Sequence, residues 1–292
     1  MTLGALIRLY ATWLSKQVTK KFAEQGTFDY YAYYHRQLLA HCGDVDITSL
    51  KPVLFIEWKQ DWHAIQAVQR LFNWSEDMQI NSYNPFRRVK KPPIGERQRI
   101  FRRGEDVKLL RAAGSEFRRF GLTLRETIAR PAEARELFWD ELHVSPSGLE
   151  YFMPTKFKGQ RRRKDRHAVR IIPITPRMSR LLARLRRARR GLAGPVLLNT
   201  EGEPWSGNAV RLQMQGLRKR VGLVEDRRGE QVVAYTFRHT SATRAAQKGI
   251  RDRILAELLG HSSTRTTARY QHLDAVELLD LFVESMSRRK SR

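Results

Sequence analysis

The sequence predicts a mainly α protein with a small antiparallel β-sheet, divided into an N-terminal helical domain and a second domain of α+β type. Three observations predict it. Apolar residues recur at helical spacing from Leu3 onward and again beyond Phe101. A basic, proline-containing stretch after Asn84-Pro85 interrupts that pattern. Three short runs of β-favouring residues, 138–144, 149–153 and 169–174, follow, with Pro146-Ser147-Gly148 as the turn between the first two.

Composition sets the bounds. A chain of 292 residues with 41% hydrophobic content fills one large or two ordinary domains. Fifty-five Lys and Arg against thirty Asp and Glu leave a net charge of +25, which points to a polyanionic partner, nucleic acid before all others. No long uncharged apolar run or lipidation motif accompanies the charge, so no membrane partner is expected. Cys42 is the only cysteine, which excludes an intrachain disulfide and a Cys-rich zinc site. The opening 21 residues mix apolar and basic side chains and lack the apolar core and cleavage site of a secretory signal; a cytoplasmic protein is expected.

In chain order, residues 1–85 read as a helical domain. Leu3, Leu6, Ile7, Tyr10 and Leu14 share one helix face, and a further helix is expected over 59–74. The Tyr30, Tyr31, Tyr33, Tyr34 cluster and Trp58, Trp62, Phe72 and Trp74 read first as core, and alternatively as base or sugar contacts. Residues 86–100 read as a basic linker, in which Arg87, Arg88, Lys90 and Lys91 serve either as a solvated spacer or as phosphate contacts.

The second domain spans 101–274. Helical spacing covers Val107, Leu109 and Leu110, then Phe117, Phe120 and Leu122. In ARPAEARELFWDEL, Pro131 suits the first position of a helix, where its missing N–H costs nothing, and Arg130 then stands at the helix entrance, within reach of an anion. Between the second and third strands lies TKFKGQRRRKDRH; Arg161, Arg162, Arg163 and Lys164 are candidate phosphate contacts there. A basic amphipathic helix is expected over 178–190, with Leu181, Leu182 and Leu185 inward. No Walker loop, His-Glu zinc motif or EF-hand occurs, so neither cofactor nor metal is expected. Residues 275–292 read as a C-terminal helix with an apolar stripe from Val276 to Met286, capped by Asp274 and Glu277, and a basic tail.

The stretch from Tyr235 to Tyr270 organises the rest. A helix over 237–248 is closed by Gly249 and a second over 252–259 by Gly260, placing Arg238 in a first turn, His261 just past a helix end and Tyr270 nearby. Taken singly, each residue is more often structural. Together, Arg, His and Tyr suit attack on a phosphodiester: a Tyr hydroxyl displaces an alcohol and holds the phosphate, while Arg forks and a His proton offset transition-state charge.

These motifs resemble the tyrosine recombinase, or phage integrase, family, whose signature reads roughly H-x-L-R-H-T, then L-G-H, then T-T-x-x-Y-x-H. TFRHT supplies Arg238, LLGH supplies His261, and TTARYQH supplies Tyr270. The first family arginine, in R-P-x-E-x-x-x-L-x-W-x-D, matches Arg130, with Glu133, Leu137 and Trp139 in register and Glu141 in place of the Asp. The resemblance implies a catalytic Lys on the β-hairpin; Lys156 in PTKF matches best and Lys158 next. One position departs: the family's His or Lys three residues before the arginine is Tyr235, a phenol that can donate to a phosphate oxygen but is a poor base at neutral pH.

The resemblance implies a helical core-binding domain followed by a catalytic domain, with 194–223 as the connection into the catalytic core, double-stranded DNA as partner, a homo-tetramer on two DNA sites, and site-specific recombination through a 3′-phosphotyrosine. A type IB topoisomerase and a catalytically inactive DNA-binding module are the alternatives.

Overall fold

The computed structural model describes residues 1–93, 99–157, 169–189 and 193–260. The chain divides into two compact units, Met1–Glu96 and Arg97–Arg292. Among the described residues, no helix is long and apolar enough to cross a membrane, and no group of His, Cys, Asp and Glu is arranged to hold a metal ion.

The first unit is helical. α1 (Leu3–Thr19) starts where the Thr2 hydroxyl accepts from the Ala5 N–H at 3.3 Å, and buries Leu3, Leu6, Tyr10 and Leu14 along one face. α2 (Gln25–Cys42), the short α3 (Leu54–Glu57) and α4 (Trp62–Asp77) complete it. α4 begins three residues later than the apolar spacing suggested, because the Asp61 carboxylate caps the Ala64 N–H at 2.8 Å. On α2, His35 is buried and its Nε2 donates to the Ala67 carbonyl of α4 at 3.1 Å. Burial holds the His35 ring down at about 4, outweighing the opposing effect of that carbonyl.

Residues just past Asn84-Pro85 differ from the expected linker. Phe86 is fully buried against Phe55 and Phe72, with ring centroids at 5.4 and 4.9 Å. The Gln69 amide donates at 2.8 Å to the Phe86 and Val89 carbonyls. An aromatic ring worth about 1.5–3 kcal/mol on burial keeps the chain on the first core beyond the proline.

The second unit is built around α6 (Ser115–Glu126), which packs against α5 (Glu105–Ala112), α7 (Pro131–Arg135), α8 (Pro176–Ala188) and α10 (Ala234–Gln247). Gly121 makes the close α5 approach: a Cβ there would stand 2.4 Å from the Leu110 Cδ2. Asp106, buried on α5, pairs with Arg125 at 3.5 Å and Arg244 at 3.2 Å, tying α5, α6 and α10 together. The sheet is antiparallel in the order β1 (Leu142–Val144), β2 (Glu150–Phe152), β3 (Ile172–Pro173), with Leu142 opposite Phe152 and Phe152 opposite Ile172. β1 starts later than expected because residues 139–141 form a 3-10 turn.

α9 (Gly207–Val221) occupies what the resemblance implied was a connection, capped by the Ser206 hydroxyl on the Ala209 N–H at 3.0 Å. α11 (Asp252–Leu258) packs on α10 through a small cluster of Ile128, Ala245, Ile250, Ile254, Leu255 and Leu258. α10 starts at Ala234, so Arg238 lies in its second turn. The expected C-terminal helix lies outside the described residues.

Candidate active site

Three buried or half-buried arginines from separate segments converge on one carboxylate. Arg130 is the residue before α7. Its backbone N–H donates to the Glu133 carboxylate at 2.8 Å and its Nη1 to the same group at 2.7 Å, so Glu133 holds both the helix entrance and the arginine that stands there. Arg170, two residues before β3, meets Glu133 with two N–H groups, Nε to Oε1 at 3.2 Å and Nη2 to Oε2 at 3.1 Å. Arg238, fully buried on α10, brings Nη1 within 4.0 Å of Oε2. Three guanidiniums and one carboxylate leave the cluster net positive by two.

The carboxylate is held ionised. Burial alone would raise Glu133, yet the Arg170 guanidinium beside it, its hydrogen bonds and Arg130 bring the carboxyl down to about 2. Burial also lowers Arg238, to about 10, with Tyr235 and Glu133 opposing and the neighbouring arginines adding; it remains a cation at neutral pH.

The same arginines close the end of α11. Arg170 Nη1 donates to the Leu258 carbonyl at 2.5 Å, Arg238 Nη2 to that of Leu259, and Arg130 Nη2 to that of Gly260 at 2.8 Å. The last carbonyls of a helix have no partner within it and carry the negative end of its dipole, so guanidiniums suit them. Three successive carbonyls thus take one arginine each. Gly260 fits between them with φ +59°; a Cβ there would stand 3.2 Å from the Arg130 Nη1 and from the Arg170 Cδ and Nε. Arg238 is fixed on its other side by the Ile128 carbonyl at 2.6 Å. Ile128 has φ +49°, uncommon for a β-branched residue, and its burial in the cluster under α11 retains that conformation.

Tyr235 is half-buried one turn before Arg238, whose guanidinium carbon lies 5.9 Å from the Tyr235 ring centroid. The His239 ring stacks edge-on at 4.8 Å. Tyr235 also lines a cavity of about 520 Å³ with Pro131, Arg135, Met214 and Arg218. Lys156 is exposed just after β2. Its neighbour Thr155 is anchored by the buried Glu141 carboxylate, which accepts from the Thr155 N–H at 2.8 Å and hydroxyl at 2.9 Å.

The described structure therefore brings Arg130, Arg238 and Tyr235 together and puts Lys156 on the hairpin arm. Lys158, Arg161, Arg162, Arg163, Lys164, His261 and Tyr270 lie outside the described residues. In the first unit, Arg87 pairs with Glu76, and Lys91 donates to the Gln66 side chain with its ammonium 5.3 Å from the Trp62 ring centroid; Arg88 and Lys90 are exposed. Arg170 is the residue that sequence reading missed. Its signal was weak: a lone arginine opening a β-favouring run reads as an outward side chain.

The fold is that of the DNA-bound integrases. The lambda integrase dimer bound to a COC′ core site aligns with 100% of this chain and 80% of its own at a TM-score of 0.69 and 17% identity. The Tn1549 transposon integrase in complex with circular intermediate DNA aligns with 98% of this chain and 100% of its own at a TM-score of 0.62 and 17% identity.

The chain belongs to the phage integrase family, whose sequence model matches residues 108–277. Tyrosine recombinase XerC of Bradyrhizobium diazoefficiens is 33% identical over 96 residues, 33% of this chain and 28% of that protein. A tyrosine recombinase of Pseudothermotoga lettingae is 25% identical over 224 residues, 74% of this chain and 71% of the relative. The matches to the first three curated relatives span between 26% and 29% of their length.

Proposed function

We propose that this chain is a site-specific DNA recombinase that cleaves and rejoins DNA through a 3′-phosphotyrosine. The observation that carries the reading is the placement of Arg130 and Arg238. Glu133 and two successive helix-end carbonyls orient both guanidiniums immediately before His261 in the chain. Each donates to two protein acceptors, out of the five N–H groups a guanidinium carries. The net positive charge of the cluster suits a phosphodiester whose transition state gathers negative charge on its non-bridging oxygens.

In this mechanism the Tyr270 hydroxyl oxygen attacks the scissile phosphorus and gives up its proton to water. The bond from phosphorus to the 5′ oxygen breaks, and Lys156 gives that oxygen its proton. Arg130, Arg238 and His261 hold the phosphate, and Tyr235 offers a hydrogen bond in place of the imidazole or ammonium usual at its position. A 5′ hydroxyl from a second duplex then attacks the phosphotyrosine, and the phenol leaves with a proton returned. The phosphoester bond is exchanged, not hydrolysed, so the first step stores what the second needs.

Double-stranded DNA is the partner, met in part through Arg88 and Lys90 and through Arg161, Arg162, Arg163 and Lys164. A homo-tetramer on two DNA sites, acting in the cytoplasm, completes the reading.

The test is a nicked duplex carrying the DNA that flanks the gene, which traps the adduct by losing the short 5′ fragment. Wild type gives a shifted band on a denaturing gel and Tyr270→Phe gives none. A wild-type protein that binds the duplex but forms no adduct would point to a DNA-binding module instead.

A further inference from the structure

We propose that Arg170 is a positioning residue for strand cleavage: it latches Glu133 to the end of α11 and so sets the two arginines that hold the phosphate. The proposal rests on the recombinase reading above.

Arg170 is itself poorly placed to bind DNA. Four of its five N–H groups are already directed to protein acceptors: Nε and Nη2 to Glu133, and Nη1 to the Ile171 and Leu258 carbonyls at 2.6 and 2.5 Å. Arg130 and Arg238 are different, with N–H groups left over once Glu133 and the carbonyls are served. The division is one of labour: one arginine spends four of its five N–H groups on the protein, and two are oriented by it with donors to spare.

The latch joins three parts of the chain. Glu133 is in α7, Leu258 ends α11, and Arg170 lies where the hairpin carrying Lys156 returns into β3. Without the Arg170 fork, Glu133 would keep Arg130 as its close partner, and the Leu258 carbonyl would lose its donor. The turn 258–260 would then be free to shift against Arg238 and Arg130. A planar fork is needed because two carboxylate oxygens and two carbonyls are met at once, which an ammonium cannot do in the same directions. Gly260 belongs to the same device, since any side chain there meets both Arg130 and Arg170.

The test uses the full chain with Arg170→Gln, Arg170→Lys and Gly260→Ala on the nicked duplex. Duplex affinity, single-turnover adduct rate and thermal midpoint are measured for each. Duplex affinity is expected to stay within about threefold, since phosphate contacts elsewhere dominate it. The adduct rate of Arg170→Gln is expected to fall by about 10- to 100-fold, the scale of a misplacement near 1 Å, with Arg170→Lys in between. Gly260→Ala, which removes no charge, is expected to lose rate in the same way.

An Arg170→Gln protein that stays folded and forms adduct within twofold of wild type would overturn the proposal. So would rate and affinity falling together with the thermal midpoint, and no gain on Arg170→Lys, which is the pattern of a merely structural ion pair. If Arg170→Gln does not fold, Gly260→Ala decides by the same comparison. No adduct from wild type itself removes the recombinase reading and this proposal together, an outcome distinct from loss confined to the variants.

Discussion

Replacing Glu133 by Gln tests the central charge arrangement of the second unit. The substitution keeps size and one acceptor oxygen, but it sets an amide N–H₂ toward guanidiniums that need an acceptor. Glu133 is 5% exposed and its carboxyl lies at about 2 against an ordinary 4.5. That depression corresponds to about 3 kcal/mol of stability, in line with the cost of breaking a buried ion pair. For a unit of this size it amounts to a thermal midpoint lower by about 6–12 °C at pH 7.

The sign with pH follows from the direction. The folded value is below the unfolded one, so the contribution is fully present above about 4.5 and is lost as pH falls toward 2. Urea unfolding of wild type and Glu133→Gln, followed at pH 7 and pH 3, reads this directly. The gap between the two proteins is expected to narrow by about 2 kcal/mol at the lower pH. A gap below about 1 kcal/mol at pH 7, or one that does not change with pH, would refute the reasoning.

In the first unit, His35 lies at about 4, below its unfolded 6.5, so wild type is expected to lose about 3 kcal/mol as pH falls from 6.5 to 4. His35→Gln, which still offers the Ala67 carbonyl a donor, should flatten that slope in a pH series of unfolding curves. Lys156→Ala is expected to slow adduct formation by about 10²- to 10⁴-fold on ordinary DNA, and a sulfur at the 5′ bridging position, which leaves without a proton, should restore it. Rescue of Lys158→Ala instead would move the acid two residues along. Tyr235→Phe keeps the ring against Arg238 and removes the hydroxyl; a loss of about tenfold in adduct rate is expected if that hydroxyl donates to the phosphate, and an unchanged rate would leave Tyr235 a packing residue. Arg88→Ala with Lys90→Ala should lower the slope of log affinity against log salt by about 2 on non-specific duplex, measured by anisotropy.

Where structure follows from neighbours in the chain, the sequence alone determined it. Pro131 opens α7 with Arg130 at its entrance, and Gly249 and Gly260 stop their helices, because caps and φ preferences act over three or four residues. The apolar stripe of α1 was legible for the same reason. α9 carried a readable signal too, Val210, Met214, Leu217 and Val221 at helical steps behind Ser206, and its polar residues hid it.

What only tertiary structure decided is which charges meet. Arg170 and Glu133 are 37 residues apart, Arg170 and Leu258 are 88 apart, and Arg238 and Ile128 are 110 apart. Nothing local marks Arg170 as buried, and nothing local turns Ile128 into the left-handed region. Phe86 likewise reads as part of a linker until Gln69 and two aromatic rings hold it. The residues proposed to bear the chemistry were recognisable by type and spacing; the carboxylate and carbonyls that aim Arg130 and Arg238 were not, because an ion pair or a helix-end acceptor is defined by distance in space and leaves no period in the chain.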